Sequence, residues 1–568
     1  MPPVNNFPQN KVFSFRILIL NASIVNERYI FAKGRIFHIL TLITYLAIIK
    51  GGRPLKSKLY IIVTLALIFL TGGCINTAGW NSDDGRKLVI LQESLPDTLD
   101  PLKNSSYENV LPLTGIYEGL VKLNTATLTP EPCLARNWEV SGDGLRWTFN
   151  LFPGIKFSDG TPCTAEAVRA SMARSLSLKD TDPYPALVFA PVASIDTSGE
   201  YTVSFTLKDP FTPFIKNLAL PFAAPVVSPA ALLKYGDNFW KYPSGTGPYM
   251  VDSLGRNKIE LRPNPYYRAG PASSNIIFKA VPDPIDRSDQ LLSGKADIIF
   301  FPASRSLDAL RSKNMKVISL PGLDLSFIGF YTDRAPFSDR DLRRAIAGSL
   351  DRGKIVAAAM EGEGVPADGI LPPPMAGPGM SKGPSYTTGQ VREILSRKGY
   401  PGGMDITLVT YQDSRRYCPQ GGSALAEEIK RQLESLGIRV KIAASPWDRH
   451  KESILNRDGD FFLYGWTCDN GDPDNFMHTL FHSTQLSSGL NVSGFTSQKL
   501  DVYLLTARRV ADGKARKTLY EEAESIILQE APLIPLNHSL TRIAAAPGVK
   551  GINLSGFGLI ELNTIQKD

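Results

Sequence analysis

The 568-residue sequence is poor in the residues and spacings on which most enzyme sites depend. It contains five cysteines and five histidines, and only four of the histidines lie beyond residue 74. It has no GxSxG, HExxH, GxGxxG, CxxC or complete GxxxxGK[ST] motif. Serine-hydrolase, zinc-protease, dinucleotide, thioredoxin and phosphate-loop chemistries therefore lack the groups that they need.

The chain also lacks a basic composition beyond its N-terminal segment, although its formal net charge is +7. Residues 1–74 contain nine Lys or Arg and a single acidic residue, Glu27. The rest of the chain therefore has 53 basic and 54 acidic residues. This near-neutral balance gives no compositional support for nucleic-acid binding.

Two groups of side chains suggest a metal, but both are incomplete. His478 and His482 are four residues apart and can share a helical face, yet no carboxylate or cysteine stands at a matching step. The acidic loop 469–474 is interrupted by Pro473 and lacks the closing Glu of a calcium loop. We predict no metal site and no cofactor, and interpret the two histidines as residues of a helix surface.

Residues 51–74 have the composition of an export signal. Basic residues precede the 12-residue apolar run 59–70, which is short for a hydrocarbon layer of roughly 30 Å. Cys74 follows two glycines and resembles the lipidated cysteine of a bacterial lipoprotein, with Thr71 where leucine is usual. We expect lipidation at Cys74 and a periplasmic or cell-surface protein anchored to the membrane. The alternative is ordinary signal cleavage with an incidental cysteine.

Residues 1–50 form an uncertain upstream extension, and residues 75–86 form a polar linker. The apolar stretches 13–20 and 36–49 are each shorter than the ~20 residues of a membrane helix. Two explanations remain open. Either the start codon is assigned too far upstream and residues 1–50 are not translated, or residues 36–49 and 59–70 form a membrane hairpin.

The body of the chain predicts two kinds of architecture. Up to about residue 250, strand patterns such as 147–151 and 201–207 alternate with turns, which indicates an α+β region. Later, a helix is predicted to begin with Ser338 as its N-cap. A strand at 405–410, a helix at 425–436 and a strand at 438–442 predict a parallel α/β sheet, joined by a strand at 460–466. The loop after residue 466 then follows a strand carboxyl end and becomes a candidate cleft wall.

Eight segments, in one order over about residues 86–545, resemble the extracytoplasmic solute-binding proteins of bacterial ABC importers. The resemblance is to the class that binds oligopeptides, dipeptides and nickel, which is solute-binding protein family 5. The segments are NWEVSGDG with WTF (137–149), KFSDG with TAE (156–166), PSGTGPY (243–249), NPYY (264–267), SGKAD (293–297), DLRRAI (341–346), RRYCP (415–419) and GWTCDNGDPDNF (465–476).

This resemblance implies two lobes joined by two hinge crossovers, with the ligand enclosed between them. We place the crossovers near residues 321–328 and 531–536. Lobe I would contain residues 86–323 and 533–568, and lobe II residues 324–532. The predicted fold class is therefore α/β, with α+β elements in lobe I, in a two-lobed periplasmic-binding-protein-like fold.

The resemblance also implies a dipeptide-type site. Asp469 would receive the ligand's α-ammonium and Arg415 its α-carboxylate, although an ungapped count back from the following helix selects Arg416. Tyr417 and Trp466 would wall a side-chain pocket, with Asn470 beside Asp469 in the same loop. The alternatives are a turn or N-cap role for Asp469, solvated arginines, and core packing for the two aromatic residues.

The same resemblance places Cys418 and Cys468 in neighbouring loops at the rim of the lobe II cleft. We predict a disulfide between them, which an oxidising exterior would preserve. The alternative is two free thiols.

The implied function is capture of di- or tripeptides for uptake through an ABC permease, by a monomeric protein that is not an enzyme. Within transport, the alternative is a binder of nickel, haem or another small solute, because the site and not the fold sets the function. From other classes, the alternatives are an extracytoplasmic hydrolase and a ligand-sensing receptor.

Overall fold

The computed structural model describes residues 87–103, 110–180, 183–220, 222–376 and 383–568. The upstream extension, the predicted export signal with Cys74 and residues 75–86 lie outside the described residues. None of the described helices combines the length and the apolar character that crossing a membrane requires.

The strands fall into two groups that share one long strand. The first group, which we call lobe I, contains β1 (Leu88–Gln92), β2 (Val121–Leu123), β3 (Pro130–Pro132), β4 (Ala135–Val140), β5 (Arg146–Leu151), β6 (Val192–Ser198), β7 (Thr202–Leu207), β8 (Tyr249–Gly255), β9 (Lys258–Pro263), β10 (Ile276–Ala280), β11 (Ile298–Phe300) and β12 (Lys316–Pro321). The second group, lobe II, contains β13 (Asp324–Phe330), β14 (Gly364–Pro366), β15 (Met404–Tyr411), β16 (Ile438–Ser445) and β17 (Phe461–Thr467). The shared strand is β18 (Leu533–Ala545), and the chain ends with the short pair β19 (Val549–Lys550) and β20 (Gln566–Lys567).

The helices pack around these strands. Those of lobe I are α1 (Leu111–Ile116), α2 (Ala165–Leu176), α3 (Pro183–Phe189), α4 (Phe214–Asn217), α5 (Pro229–Tyr235), α6 (Pro284–Leu292) and α7 (Leu307–Ser312). Those of lobe II are α8 (Arg340–Ser349), α9 (Arg352–Ala359), α10 (Thr388–Arg397), α11 (Gly422–Glu434), α12 (Trp447–Leu455), α13 (Pro473–Phe481), α14 (Gln498–Arg509) and α15 (Lys514–Glu530).

One 12-stranded sheet runs through both groups in the order β16-β15-β17-β13-β18-β11-β1-β10-β9-β8, with β12 and β14 also paired to β18. A separate antiparallel sheet, β4-β5-β7-β6, covers part of lobe I. The predicted strand-helix-strand unit is present, because β15 and β16 pair in parallel and α11 connects them. The α/β class with an α+β region in lobe I is thereby confirmed.

The start of α8 differs from the sequence-based expectation. Asp339, not Ser338, is the N-cap, because its carboxylate accepts hydrogen bonds from the backbone N–H groups of Asp341 and Leu342. Both residues can cap a helix, and only the local backbone decides which one does.

The lobes are connected where β12 leads into β13 and along β18. The first part of β18 pairs with β13, and its second part, from Leu540 onward, pairs with β12. The predicted lobe boundaries stay a prediction. The change of partners within β18 lies a few residues beyond the predicted second boundary at 532/533.

Alternating side chains of the long sheet form separate cores on its two faces. In β17, Phe461 and Leu463 join the core on one face of lobe II, and Phe462 joins the core on the other. In β1, Ile90 and Leu91 divide in the same way between the two cores of lobe I. This alternation is what a sheet with both faces buried requires.

Candidate ligand-binding site

Two loops that carry predicted site residues leave the same edge of the lobe II sheet. The first follows β15 and contains Arg415 to Pro419, and the second follows β17 and spans residues 468–472. Because β15 and β17 are parallel neighbours, with Leu408 opposite Phe461, their carboxyl ends lie side by side. The sheet therefore brings both loops to one rim of lobe II.

Tyr417 anchors the first loop in the protein core. Its side chain is buried, and its ring lies against Gly465 of β17, where an added Cβ would come within 2.4 Å of the ring. Its carbonyl accepts a hydrogen bond from Asn537 Nδ2 at 3.0 Å. Tyr417 therefore packs in the lobe II core, and its predicted place in the wall of a ligand pocket stays a prediction.

Two of the cavities that border these loops contain the charged residues predicted for the site, and the larger of the two has a volume of about 580 Å³ and lies between the lobes. Arg415 and Arg416 line it from lobe II. Its other polar and charged walls include Gln92, Glu93, Arg287, Arg305, Glu361 and Glu363, and its apolar walls include Phe301, Leu540, Phe557 and Leu559.

The smaller cavity has a volume of about 200 Å³ and contains Asp469 as its lobe II residue. Lobe I supplies the remaining walls, among them Tyr117, Glu118, Lys122, Tyr267, Arg268 and Glu561. Phe557 and Leu559 line both cavities. They therefore form a wall with the arginines on one side and Asp469 on the other.

Asp469 is a carboxyl group whose ionisation is costly. Burial raises its pKa to about 6, against the opposing effects of the Arg416 guanidinium and a hydrogen bond from Asn475. The Asn475 amide is itself oriented, because its Oδ1 accepts a hydrogen bond from Trp466 Nε1 at 2.8 Å. The ionised form of Asp469 is thus only partly compensated by the protein, which suits a group that awaits a cation.

The two arginines have different surroundings. Arg415 lies over the ring of Trp447, with 4.2 Å between its Cζ and the ring centroid, and its buried Nε has no hydrogen-bond acceptor within the described part of the chain. Arg416 donates a hydrogen bond to the Phe557 carbonyl and acts electrostatically on Asp469. Arg416 is therefore engaged with lobe I, whereas Arg415 packs on an aromatic ring of lobe II, and both guanidinium groups border the larger cavity.

Trp466 and Asn470 are not among the residues that line these two cavities. Trp466 is half-buried against the lobe II core. Asn470 is buried, and its Nδ2 donates to Asn217 Oδ1 of lobe I at 2.5 Å. Trp466 thus packs against the core and orients Asn475, and Asn470 makes a contact between the lobes; the predicted ligand contacts of both residues stay predictions.

The predicted disulfide is absent, which corrects that expectation. Cys418 and Cys468 are both free and buried. Cys418 belongs to the core on one face of the lobe II sheet and donates to Gly421 O at 3.1 Å, whereas Cys468 belongs to the core on the opposite face. Their loops are neighbours, but their side chains turn to different sides of the sheet.

The histidine pair is also not at a helix surface, contrary to the sequence-based interpretation. His478 and His482 are buried, with their rings stacked at 4.5 Å, and Arg508 Nη1 lies 2.8 Å from His478 Nε2. Burial, with a further contribution from Arg508, lowers the pKa of His478 to about 2. No three His, Cys, Asp or Glu side chains of the described residues form a group that could hold a metal.

Sequence reasoning missed Phe557, Trp447 and Asn475. Asn475 stands inside the GWTCDNGDPDNF segment and could have been singled out there. The only sequence signal for Phe557 was its position between two glycines. One of these, Gly558, has a φ of +78°, and a Cβ added there would come within 3.3 Å of Arg416 Nη2. Trp447 is far from the arginines in sequence, so only the fold reveals its contact.

Comparison with known proteins decides the family. The family model of bacterial extracellular solute-binding proteins, family 5, middle region, matches residues 129–488. This chain belongs to that family. The glutathione-binding protein GsiB of Escherichia coli K12 is 29% identical over 490 residues, which cover 84% of this chain and 92% of GsiB.

Solved structures agree with the family 5 assignment. HbpA2 from Haemophilus parasuis matches with a TM-score of 0.79 and 26% identity, over 85% of this chain and all of that one. A dipeptide-binding protein from Pseudoalteromonas sp. SM9913 in complex with Met-Leu matches with a TM-score of 0.70 and 26% identity, again over 85% of this chain and all of that one. The predicted two-lobed periplasmic-binding-protein fold is thereby confirmed, and the chain is a solute-binding protein of the class that serves ABC importers.

Proposed function

We propose that this family 5 protein captures short peptides, of two or three residues with free ends, for uptake through an ABC permease. The observation that carries the proposal is the placement of opposite charges around one wall. Asp469 lines the cavity on one side of Phe557, and Arg415 and Arg416 line the cavity on the other. A zwitterionic peptide carries the complementary charges at its two ends.

Asp469 would receive the α-ammonium. An ammonium supplies a positive charge and up to three hydrogen-bond donors, which stabilise the ionised carboxylate in a site where burial disfavours it. The relatives support this chemistry in part, since one binds glutathione and another was solved with Met-Leu.

Arg415 would bind the α-carboxylate. Its planar guanidinium suits a bidentate pair with a carboxylate, and it lines the larger cavity without the hydrogen bond to the Phe557 carbonyl that Arg416 makes. Its contact with Trp447 would hold the guanidinium plane in place for that pair.

The test is to identify what the protein retains. Protein expressed from about residue 75 would be denatured and its bound ligand identified by mass spectrometry, and calorimetry would then compare a dipeptide panel and glutathione with N-acetylated and C-amidated forms. We expect stoichiometric binding of the free peptides and loss of affinity when either end is blocked. Equal binding of blocked peptides, retention of a metal or haem instead, or turnover of the peptide would contradict the proposal.

Substitutions assign the two ends. Removing one member of a buried charge pair costs roughly 3–5 kcal/mol, so Asp469→Asn and Arg415→Met would each weaken binding by at least about a hundredfold. Exposed matched controls, Asp448→Asn and Arg397→Met, would leave affinity unchanged. If Arg416→Met abolishes binding and Arg415→Met does not, the carboxylate belongs to Arg416.

We propose further that the protein is exported and anchored by lipid at Cys74, and that it acts as a monomer. Export and lipidation are supported by the order of basic, apolar and small residues in the segment 53–74. Expressed with its leader in a bacterium, the protein is expected to partition into detergent, and Cys74→Ser is expected to abolish the partitioning. Aqueous wild-type protein would contradict lipidation.

A further inference from the structure

A second face of the Asp469 loop is bound by lobe I. At the end of α4, Lys216 Nζ donates to the carbonyl of Gly471 at 2.8 Å. The next residue, Asn217, accepts a hydrogen bond at its Oδ1 from Asn470 Nδ2 at 2.5 Å. Two consecutive lobe I side chains therefore bind two consecutive loop residues that directly follow Asp469.

Lys216 is buried in this contact, with only 9% of its surface exposed. Its Nζ lies 3.9 Å from Asp472 Oδ2, a carboxylate that Arg516 of α15 already binds through two hydrogen bonds of 2.7 and 2.9 Å. Arg516 and, to a smaller extent, Lys216 keep the pKa of Asp472 low despite burial. A lobe I cation thus completes a charge cluster that is otherwise internal to lobe II.

Asn217 is oriented for its contact. It is fully buried, and its Nδ2 donates to the carbonyl of Leu187 within lobe I at 2.9 Å, which leaves Oδ1 for Asn470. The Asn217 amide therefore needs no reorientation to bind the loop. Its side chain is already ordered by lobe I, so binding the loop costs little further conformational entropy.

Two further features hold the lobes together at the same place. Thr212 bonds to lobe II twice, through its N–H to Arg508 O and through its Oγ1 to Val510 O, both at 2.7 Å. Gly471 has a φ of +65°, and an added Cβ there would lie 3.2 Å from Phe557 and 3.4 Å from Leu128. The loop at residues 468–472 therefore contacts lobe I through its backbone as well as through its polar groups.

We propose that Lys216 and Asn217 are positioning residues that form a latch between the lobes and keep the closed conformation populated even without ligand. Opening the lobes would separate Lys216 from Gly471 and Asp472, and Asn217 from Asn470, in one movement. Because Asp469 is adjacent to Asn470, the latch also sets the position of Asp469. The latch rests only on these contacts between lobes, and its effect on peptide affinity rests on the proposed function.

Small-angle X-ray scattering of the ligand-free protein tests the latch. The radius of gyration would be compared among wild type, Lys216→Met, Lys216→Arg and the exposed lobe I control Lys295→Met. We expect a compact wild type and control, and a larger radius for Lys216→Met with an approximately tenfold fall in the closed-to-open ratio, the effect of losing one charge-assisted hydrogen bond. Lys216→Arg retains the charge and would restore the compact form, which a purely structural role would not require.

A second variant guards against misfolding. Thr212→Val removes one side-chain hydrogen bond between the lobes and leaves the charge cluster intact. The double variant Thr212→Val/Lys216→Met would be more open than Lys216→Met alone. A native circular dichroism spectrum would show that the double variant is folded. An open ligand-free wild type, or a Lys216→Met protein as compact as wild type, would overturn the latch. Neither result depends on a peptide, so failure of the latch and failure of peptide binding are told apart.

Discussion

At the scale of single residues, Asp469 links affinity to pH. Burial raises its pKa to about 6 in the ligand-free protein, so lowering the pH below this value protonates the group that would receive an ammonium. Protonation removes the charge of Asp469 but leaves the ligand's ammonium charged, because an α-amino group titrates near pH 8. Protons therefore compete with the ligand for the site.

We expect the dissociation constant of the tightest dipeptide to rise about tenfold for each pH unit below 6, and to be flat between pH 6.5 and 7.5. Calorimetry from pH 4.5 to 7.5 measures this profile. Asp469→Asn serves as the control, since its weaker binding would lose the dependence. A wild-type affinity that does not change between pH 7 and 5 would remove Asp469 from the ammonium site.

Glu524 of α15 is a second buried acid, and it affects stability. Burial raises its pKa to about 7, although its carboxylate accepts hydrogen bonds from the N–H groups of Ile370 and Leu371. Between its ordinary value of 4.5 and pH 7 the folded state holds a proton that the unfolded state has released. This group therefore makes the protein less stable as the pH rises through that window, with the full loss above pH 7.

Glu524→Gln is expected to remove that loss while its amide oxygen keeps both hydrogen bonds. At pH 8 the free energy of unfolding should rise by up to about 3 kcal/mol, and at pH 4 it should equal that of wild type. Urea denaturation at the two pH values measures the difference. A variant that is destabilised equally at both pH values would show that burial does not disfavour the ionised form of Glu524.

At the scale of elements, Gly465 connects strand β17 to the arginine loop. Its hydrogen side chain lets the Tyr417 ring lie directly on the strand, and the ring is buried and cannot swing into solvent. The position of Arg415, two residues before Tyr417, therefore depends on a glycine in another element. This dependence gives a structural reason for the glycine in the GWTCDN segment.

Gly465→Ala is expected to lower the free energy of unfolding by roughly 1–3 kcal/mol, the cost of overpacking a closed core. It should also weaken peptide binding, because the arginine loop has to move. Gly142→Ala is the matched control, since nothing lies within 4 Å of the added Cβ. Denaturant titrations of both variants provide the measurement, and equal stability of the two would show that the Tyr417 ring yields without cost.

The elements near the site also show what sequence could and could not predict. The parallel pair β15 and β16, their connecting helix and β17 follow from hydrophobic periodicity, which reports local structure well. The neighbouring loops then follow from parallel strand pairing. The direction of a side chain such as Cys418 or Asn470 depends on partners from other elements, which no local pattern reveals. The prediction of a disulfide was wrong for this reason, and the contact of Asn470 with Asn217 could not be predicted.

At the scale of the whole molecule, the lobes share their backbone framework. Strand β18 pairs with β13 of lobe II and with β11 and β12 of lobe I, and Gly322 N bonds to Ser539 O where the two connections run side by side. The ion pair of Arg542 in β18 with Glu363 of lobe II, at 2.6 Å, adds a buried link at the same place. Separating the lobes by local unfolding would therefore break the central sheet.

The four buried thiols in the described part of the chain offer a test of this coupling. Cys133 and Cys163 lie in lobe I, Cys418 and Cys468 lie on the two faces of the lobe II sheet, and all four are free. Burial raises the pKa of the thiols in lobe II to about 12, so alkylation of the native protein should be negligible. Each cysteine thus becomes reactive only when its own surroundings unfold.

Pulsed alkylation across a urea titration, followed by peptide mapping, should give one midpoint for all four cysteines, because a shared sheet makes the two lobes unfold as one cooperative unit. Exposed cysteine controls, made by Ser141→Cys in lobe I and Ser396→Cys in lobe II, should react at every urea concentration. A lower midpoint for Cys418 and Cys468 than for Cys133 and Cys163 would show that lobe II unfolds alone and that β18 does not couple the lobes. Resistance of Cys418 and Cys468 to alkylation after complete unfolding without reductant would instead restore the disulfide.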